Sequence, residues 1–81
     1  MSSLHILTHE GDKTVVWDHK KAESGDAEAL AAVREAERIF EEARRRGATA
    51  FVVDPGLPSR VLERFDPMAT KIIMVPRVQG G

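Results

Sequence analysis

The chain has 81 residues, 42% of them hydrophobic and 31% charged, with twelve Lys and Arg against thirteen Asp and Glu for a net charge of −1. That length supports one small core and one domain, and the charge balance argues against a strongly basic nucleic-acid binder. The absence of cysteine excludes disulfide scaffolds, thiolate zinc sites and cysteine nucleophiles.

Leu4 to His9 reads as a first strand, with Leu4, Ile6 and Thr8 on one face and His5, Leu7 and His9 on the other. Glu10-Gly11-Asp12-Lys13 supplies a turn, and the β-branched and aromatic run Thr14-Val15-Val16-Trp17 predicts a second strand that closes an antiparallel hairpin. Residues 18–25 are polar, and either Ser24 or Asp26 can cap the helix after them. From Asp26 to Arg46 there is no Gly or Pro, and Leu30, Val33, Ala36, Phe40 and Ala43 recur at helical spacing with Ile39 beside them. Acidic residues in the first turn and Arg44-Arg45-Arg46 in the last match the helix dipole, and Gly47 is the stop. Ala48 to Val53 predicts a third strand, ended by Asp54-Pro55-Gly56. Pro58 to Phe65 predicts a short helical turn capped by Ser59, with Val61, Leu62 and Phe65 inward, and Asp66-Pro67 breaks it. The apolar run Lys71-Ile72-Ile73-Met74-Val75 predicts a strand covered on both faces, stopped by Pro76. The predicted order is β-β-α-β-(short helix)-β, a mixed sheet under one long helix, with residues 1–76 as the domain and 77–81 as a flexible tail too poor in apolar surface to pack.

Little in this pattern points to catalysis. On a strand, His5 and His9 lie about 13 Å apart along the chain, too far for one metal ion. The nucleophile elbow G-x-S-x-G, the phosphate loop and the dinucleotide fingerprint are all missing. Glu41 with Arg45 and Glu42 with Arg46 stand four apart, as on a solvated helix face. Trp17 reads as core packing. No apolar run approaches the roughly 20 residues that cross a bilayer, and Met1 to His5 lacks the character of a secretion signal, so the expected setting is cytoplasmic.

The Gly80-Gly81 end is the feature that carries chemistry. Two residues without Cβ make a thin segment that a narrow channel accepts. Element order and tail together resemble the ubiquitin-like β-grasp family. The segment Ile72-Ile73-Met74-Val75-Pro76-Arg77-Val78-Gln79-Gly80-Gly81 is similar to the end of the sulfur-carrier proteins, which close on an apolar strand, a proline, a short linker and Gly-Gly. Bacterial ubiquitin-like modifiers and ubiquitin-like phage tail-assembly proteins share the same skeleton.

The resemblance implies an α+β fold, a mixed β-grasp sheet with one long helix packed across it. It implies a carrier or modifier rather than an enzyme. An activating enzyme of the ubiquitin-activating type adenylates the carboxylate of Gly81, with Gly80 in its channel and Arg77, Val78 and Gln79 recognised along the wall. The acyl group then passes to an amine of a target protein. Alternatively sulfur attacks it to give a thiocarboxylate, or the chain serves as a non-covalent interaction module. The chain itself binds no cofactor; ATP and zinc belong to the activating partner. A conjugating enzyme and a deconjugating metalloprotease are further implied partners, and membranes are not. The sheet face, with Leu7 and Met74, is the implied docking surface. A nucleic-acid role through Arg44, Arg45 and Arg46 is a rival reading that the net charge disfavours.

Overall fold

The computed structural model describes residues 1–8 and 10–77. Five strands and two helices succeed one another as β1 (Ser2–Ile6), β2 (Lys13–Trp17), α1 (His19–Glu23), α2 (Ala27–Arg45), β3 (Thr49–Val52), β4 (Arg60–Leu62) and β5 (Lys71–Val75). They form an α+β structure whose single mixed sheet has the order β2-β1-β5-β3-β4. β1 pairs antiparallel with β2 and parallel with β5, and β3 pairs antiparallel with both β5 and β4. The last strand in sequence is therefore the central strand of the sheet.

Alternation sets which face is covered. Leu4, Ile72, Met74, Ala50 and Val52 are buried under α2. Their neighbours Ile73 and Phe51 are only half-buried on the opposite face. β5 is thus covered on one face, not on both as its unbroken apolar run predicts. On α2, Ala29, Ala36 and Phe40 are buried, with Ala32, Val33, Ile39 and Ala43 packed beside the core. Leu30, expected in the stripe, is half-buried. Phe40 is fully buried and meets Phe65 edge-on at 5.6 Å between centroids, while Phe65 meets Trp17 at 5.7 Å. Trp17 is buried as expected, and its Nε1 donates to the Pro67 carbonyl at 2.9 Å. An Asp66 turn, in which Met68 N donates to Asp66 Oδ1, holds that carbonyl in place.

Both helices end on the same device. Gly25 and Gly47 have φ of 88° and 94°, a region open to glycine. Asp26 N donates to Lys21 O and Gly25 N to Ala22 O; Ala48 N donates to Ala43 O and Gly47 N to Arg44 O. These are Schellman closures. At the start of α2, Asp26 accepts from Ala29 N at 2.9 Å.

Three further expectations are corrected. β1 begins at Ser2 and ends at Ile6 rather than running from Leu4 to His9. Ser2 pairs with Trp17 and its hydroxyl bonds His19 Nδ1 at 2.9 Å, while the chain turns at Thr8–Gly11. The polar stretch 18–25, which has no element in the predicted order, carries α1. That helix has no buried residue, and the Asp18 carboxylate caps it by accepting from Lys20 N and Lys21 N. The predicted helical turn over 58–65 is strand β4 instead, and Ser59 caps nothing. Pairing of Arg60–Leu62 satisfies the backbone groups on the outer edge of β3, which a helical turn would leave open. Leu62 is then buried and Val61 points out at 56% exposure. The flexible tail expected at 77–81 falls, beyond Arg77, outside the described residues.

The caps and the core each set a measurable energy. Asp26→Ala removes the α2 cap and is expected to cost about 0.5–2 kcal/mol, and Phe40→Ala about 3–5 kcal/mol; urea denaturation checks both. Hydrogen bonds from Lys21 N and then Lys20 N hold the Asp18 carboxyl below its usual range. The α1 cap is therefore intact at neutral pH and is lost as pH falls through that lowered value. In an NMR titration, the Lys20 and Lys21 amides should shift with a midpoint below that of an unstructured aspartate, and Asp18→Asn should abolish the titration.

Candidate functional site

The root of the tail is the site residue set that the structure describes. β5 ends at Val75, where Thr49 of β3 is its partner, and Pro76 removes the next donor from the ladder. Arg77 comes next, exposed, with its aliphatic stem laid along Gly47. A Cβ on Gly47 would stand 3.1 Å from Arg77 Cδ and 3.4 Å from Arg77 Cβ. The glycine that closes α2 is therefore needed for its positive φ, and its missing Cβ lets the flexible Arg77 stem lie close beside it. Of the other predicted site residues, Val78, Gln79, Gly80 and Gly81 lie outside the described residues, as does His9.

The face of the sheet away from α2 is the second feature. Register places Thr14, His5, Ile73, Phe51 and Val61 in one row across all five strands. His5 shares hydrogen bonds with Ser3 Oγ at 3.0 Å and Thr14 Oγ1 at 3.3 Å, so both ring nitrogens are engaged within the sheet. Ile73, Phe51 and Val61 give that row an apolar stretch open to a partner. Met74, expected on the docking face, is fully buried because alternation turns it toward α2. Leu7 is 38% exposed and lies at the opening between the hairpin end and α2.

The charged residues of α2 make a third group. Arg38 bridges Glu35 at 2.5 Å and Glu42 at 3.2 Å, and Arg46 reaches Glu42 at 2.8 Å. The hydrogen bond from Arg38 holds the Glu35 carboxyl below its usual range, and Glu35 in turn raises Arg38. The Glu42–Arg46 pair forms as spaced; a Glu41–Arg45 pair does not. Arg44 Nη1 donates to the Ala48 carbonyl at 3.4 Å, consistent with charge placed at a helix end. Arg44, Arg45 and Arg46 are thus split between a backbone contact, solvent and an acidic partner, and do not make a shared cationic patch. His19 is held by Ser2, far in sequence from His5, and no group of three or more metal-ligating side chains converges among the described residues. No helix among those residues is long and apolar enough to cross a membrane.

Comparison with protein-family models, with curated proteins and with solved structures finds no match in any of the three.

The tail root sets a measurable energy, which belongs to the backbone of Gly47 rather than to its contact with Arg77. Gly47→Ala should cost about 1–2 kcal/mol, the penalty for a side chain at left-handed φ. It should cost nearly the same in an Arg77→Ala background, because the flexible Arg77 stem can move aside. Urea denaturation of the four-protein cycle gives the energies, and displacement of the Arg77 amide resonance in Gly47→Ala reports the contact.

Proposed function

We propose that the chain is a ubiquitin-like β-grasp protein modifier that reacts through the carboxylate of Gly81. The observation that carries this reading is the position of β5. It is the central strand, parallel to β1, and runs out through Pro76 and Arg77 toward the Gly80-Gly81 pair. The β2-β1-β5-β3-β4 order with one long helix across one face supports the β-grasp assignment. Such a fold does not by itself fix a function, and the reactive tail supplies the chemistry.

In this reading the Gly81 carboxylate attacks the α-phosphorus of ATP on an activating enzyme and pyrophosphate leaves. The acyl-adenylate passes through an enzyme thioester, releasing AMP, and a target amine then displaces the thiol to form an amide. The partner supplies ATP, zinc and the thiol. This chain supplies a slender tail, a root fixed by Gly47 and Arg77, and an apolar row for docking. Gly80 enters the partner's channel, while Arg77, Val78 and Gln79 set the register along its wall.

A non-covalent interaction module is the second reading. The row of half-buried Ile73 and Phe51 beside exposed Val61 favours it, since apolar side chains on a sheet face that no helix covers offer a partner surface to bury. One experiment separates the two. N-terminally tagged protein is expressed in its native cells and purified under denaturing conditions, beside a version lacking Gly80 and Gly81. The modifier reading expects heavier, denaturant-stable species in which mass spectrometry finds Gly81 amide-linked to a lysine, and their loss on deletion. Only unmodified chain, or adducts that survive the deletion, defeats it. A free chain heavier by the difference between sulfur and oxygen would instead identify a sulfur carrier.

A further inference from the structure

A groove of about 660 Å³ opens beneath the hairpin end, between β1 and the outer half of α2, and closes at the tail root. Its floor is apolar, built from Ile6, Leu7, Ile39, Ala43 and Ala48. Ile6, Ile39 and Ala43 also pack against the core, so the floor is continuous with it. The helical wall runs from Glu35 to Arg46 with Arg38, Ile39, Glu42 and Ala43 between them, one continuous helix face. At 1.5 Å per residue that wall is about 16 Å long, the reach of about five residues of extended chain.

The charges on the rim are unequal in what they leave free. Glu35 and Glu42 are engaged by Arg38 and Arg46. Lys13 and Arg77, on the hairpin and tail sides of the same groove, form no ion pair among the described residues. The groove therefore offers an apolar floor with two cations at its edges that no described residue engages. The geometry points to an extended acidic peptide as the occupant: a short segment of a partner protein with leucine-like side chains on the floor and flanking carboxylates at Lys13 and Arg77. The complementarity is of charge, and it does not depend on what happens at Gly81. It also places such a partner against the tail root, where the segment would sit beside Arg77.

The test is an NMR titration of the ¹⁵N-labelled chain with the capped peptide acetyl-Asp-Leu-Glu-Leu-Asp-amide. Two controls replace its acids with lysine or its leucines with alanine. Saturable shifts are expected at the Leu7, Ile39 and Ala43 amides, with binding about threefold to tenfold weaker for either control, the scale of exposed ion pairs and partly buried leucines. Lys13→Glu combined with Arg77→Glu changes only exposed side chains and should reverse the preference, favouring the lysine peptide. Unmoved Phe40 and Ile72 resonances would show that the fold is intact. The proposal is overturned by the absence of saturable shifts, by equal binding of all three peptides or by shifts centred on Phe51 and Ile73. A preference unchanged by the charge swap overturns it as well.

Discussion

The parallel pairing of β1 with β5 is the contact on which the remainder depends. Ser3 pairs with Lys71 and Ile6 with Met74, so residues about 68 positions apart meet at the centre of the sheet. Without β5 the order β2-β1-β5-β3-β4 falls into two separate two-stranded ribbons, β1-β2 and β3-β4, and such ribbons are marginal alone. The face that buries Phe40 exists only when Leu4, Ile72, Met74 and Val52 are brought side by side. The helix and the sheet centre therefore form together, and the local strengths of α2, its cap and its basic end, serve a structure completed by a distant strand.

The same arrangement explains why the candidate sites collect at one end of the molecule. β1 and β5 run in one direction, so the end of β1, the hairpin and Pro76 come together there. α2 finishes beside them because β3, the next strand after it, begins opposite Val75. Gly47 stands at this junction. Its φ of 94° turns the chain from α2 into β3, and its missing Cβ admits the stem of Arg77. One glycine thus shapes the helix end and leaves room for the Arg77 stem beside it. The groove below it draws its lining from β1, the start of β2, the second half of α2 and the segments that follow β1, α2 and β5.

Elements defined by local signals are legible in the sequence. α2 announces itself by Asp26, a stripe containing Ala36 and Phe40, and Gly47; β5 by an apolar run between Thr70 and Pro76. Elements defined by distant partners are not. Arg60-Val61-Leu62 has too short a pattern to distinguish strand from helix, and the free edge of β3 decides it. α1 has no apolar stripe because it buries nothing, and its capping signal is Asp18, three residues before Lys21 and easily passed over beside Ser24. Met74 is misplaced by pattern alone because an unbroken apolar run hides which side is covered. The tail root is visible as Pro76-Arg77, yet its contact with Gly47 joins residues 30 apart. The groove is invisible for the same reason: Lys13, Ile39 and Arg77 have no relation until the sheet is assembled.

The parallel central pair also has a mechanical meaning. Tension between the start of β1 and the end of β5 pulls the two strands in opposite senses along their common axis. The ladder bonds between them, with Ser3 N to Thr70 O and Leu7 N to Met74 O at its ends, then share the load in shear rather than opening one at a time. A machine that grips the chain beyond Arg77 and draws it away from an anchored N-terminus must break that ladder as a unit. Pulling across the β3-β4 hairpin instead would open bonds in succession. Resistance to extraction would therefore depend strongly on the direction of force, with the tail leading into the most resistant part of the sheet.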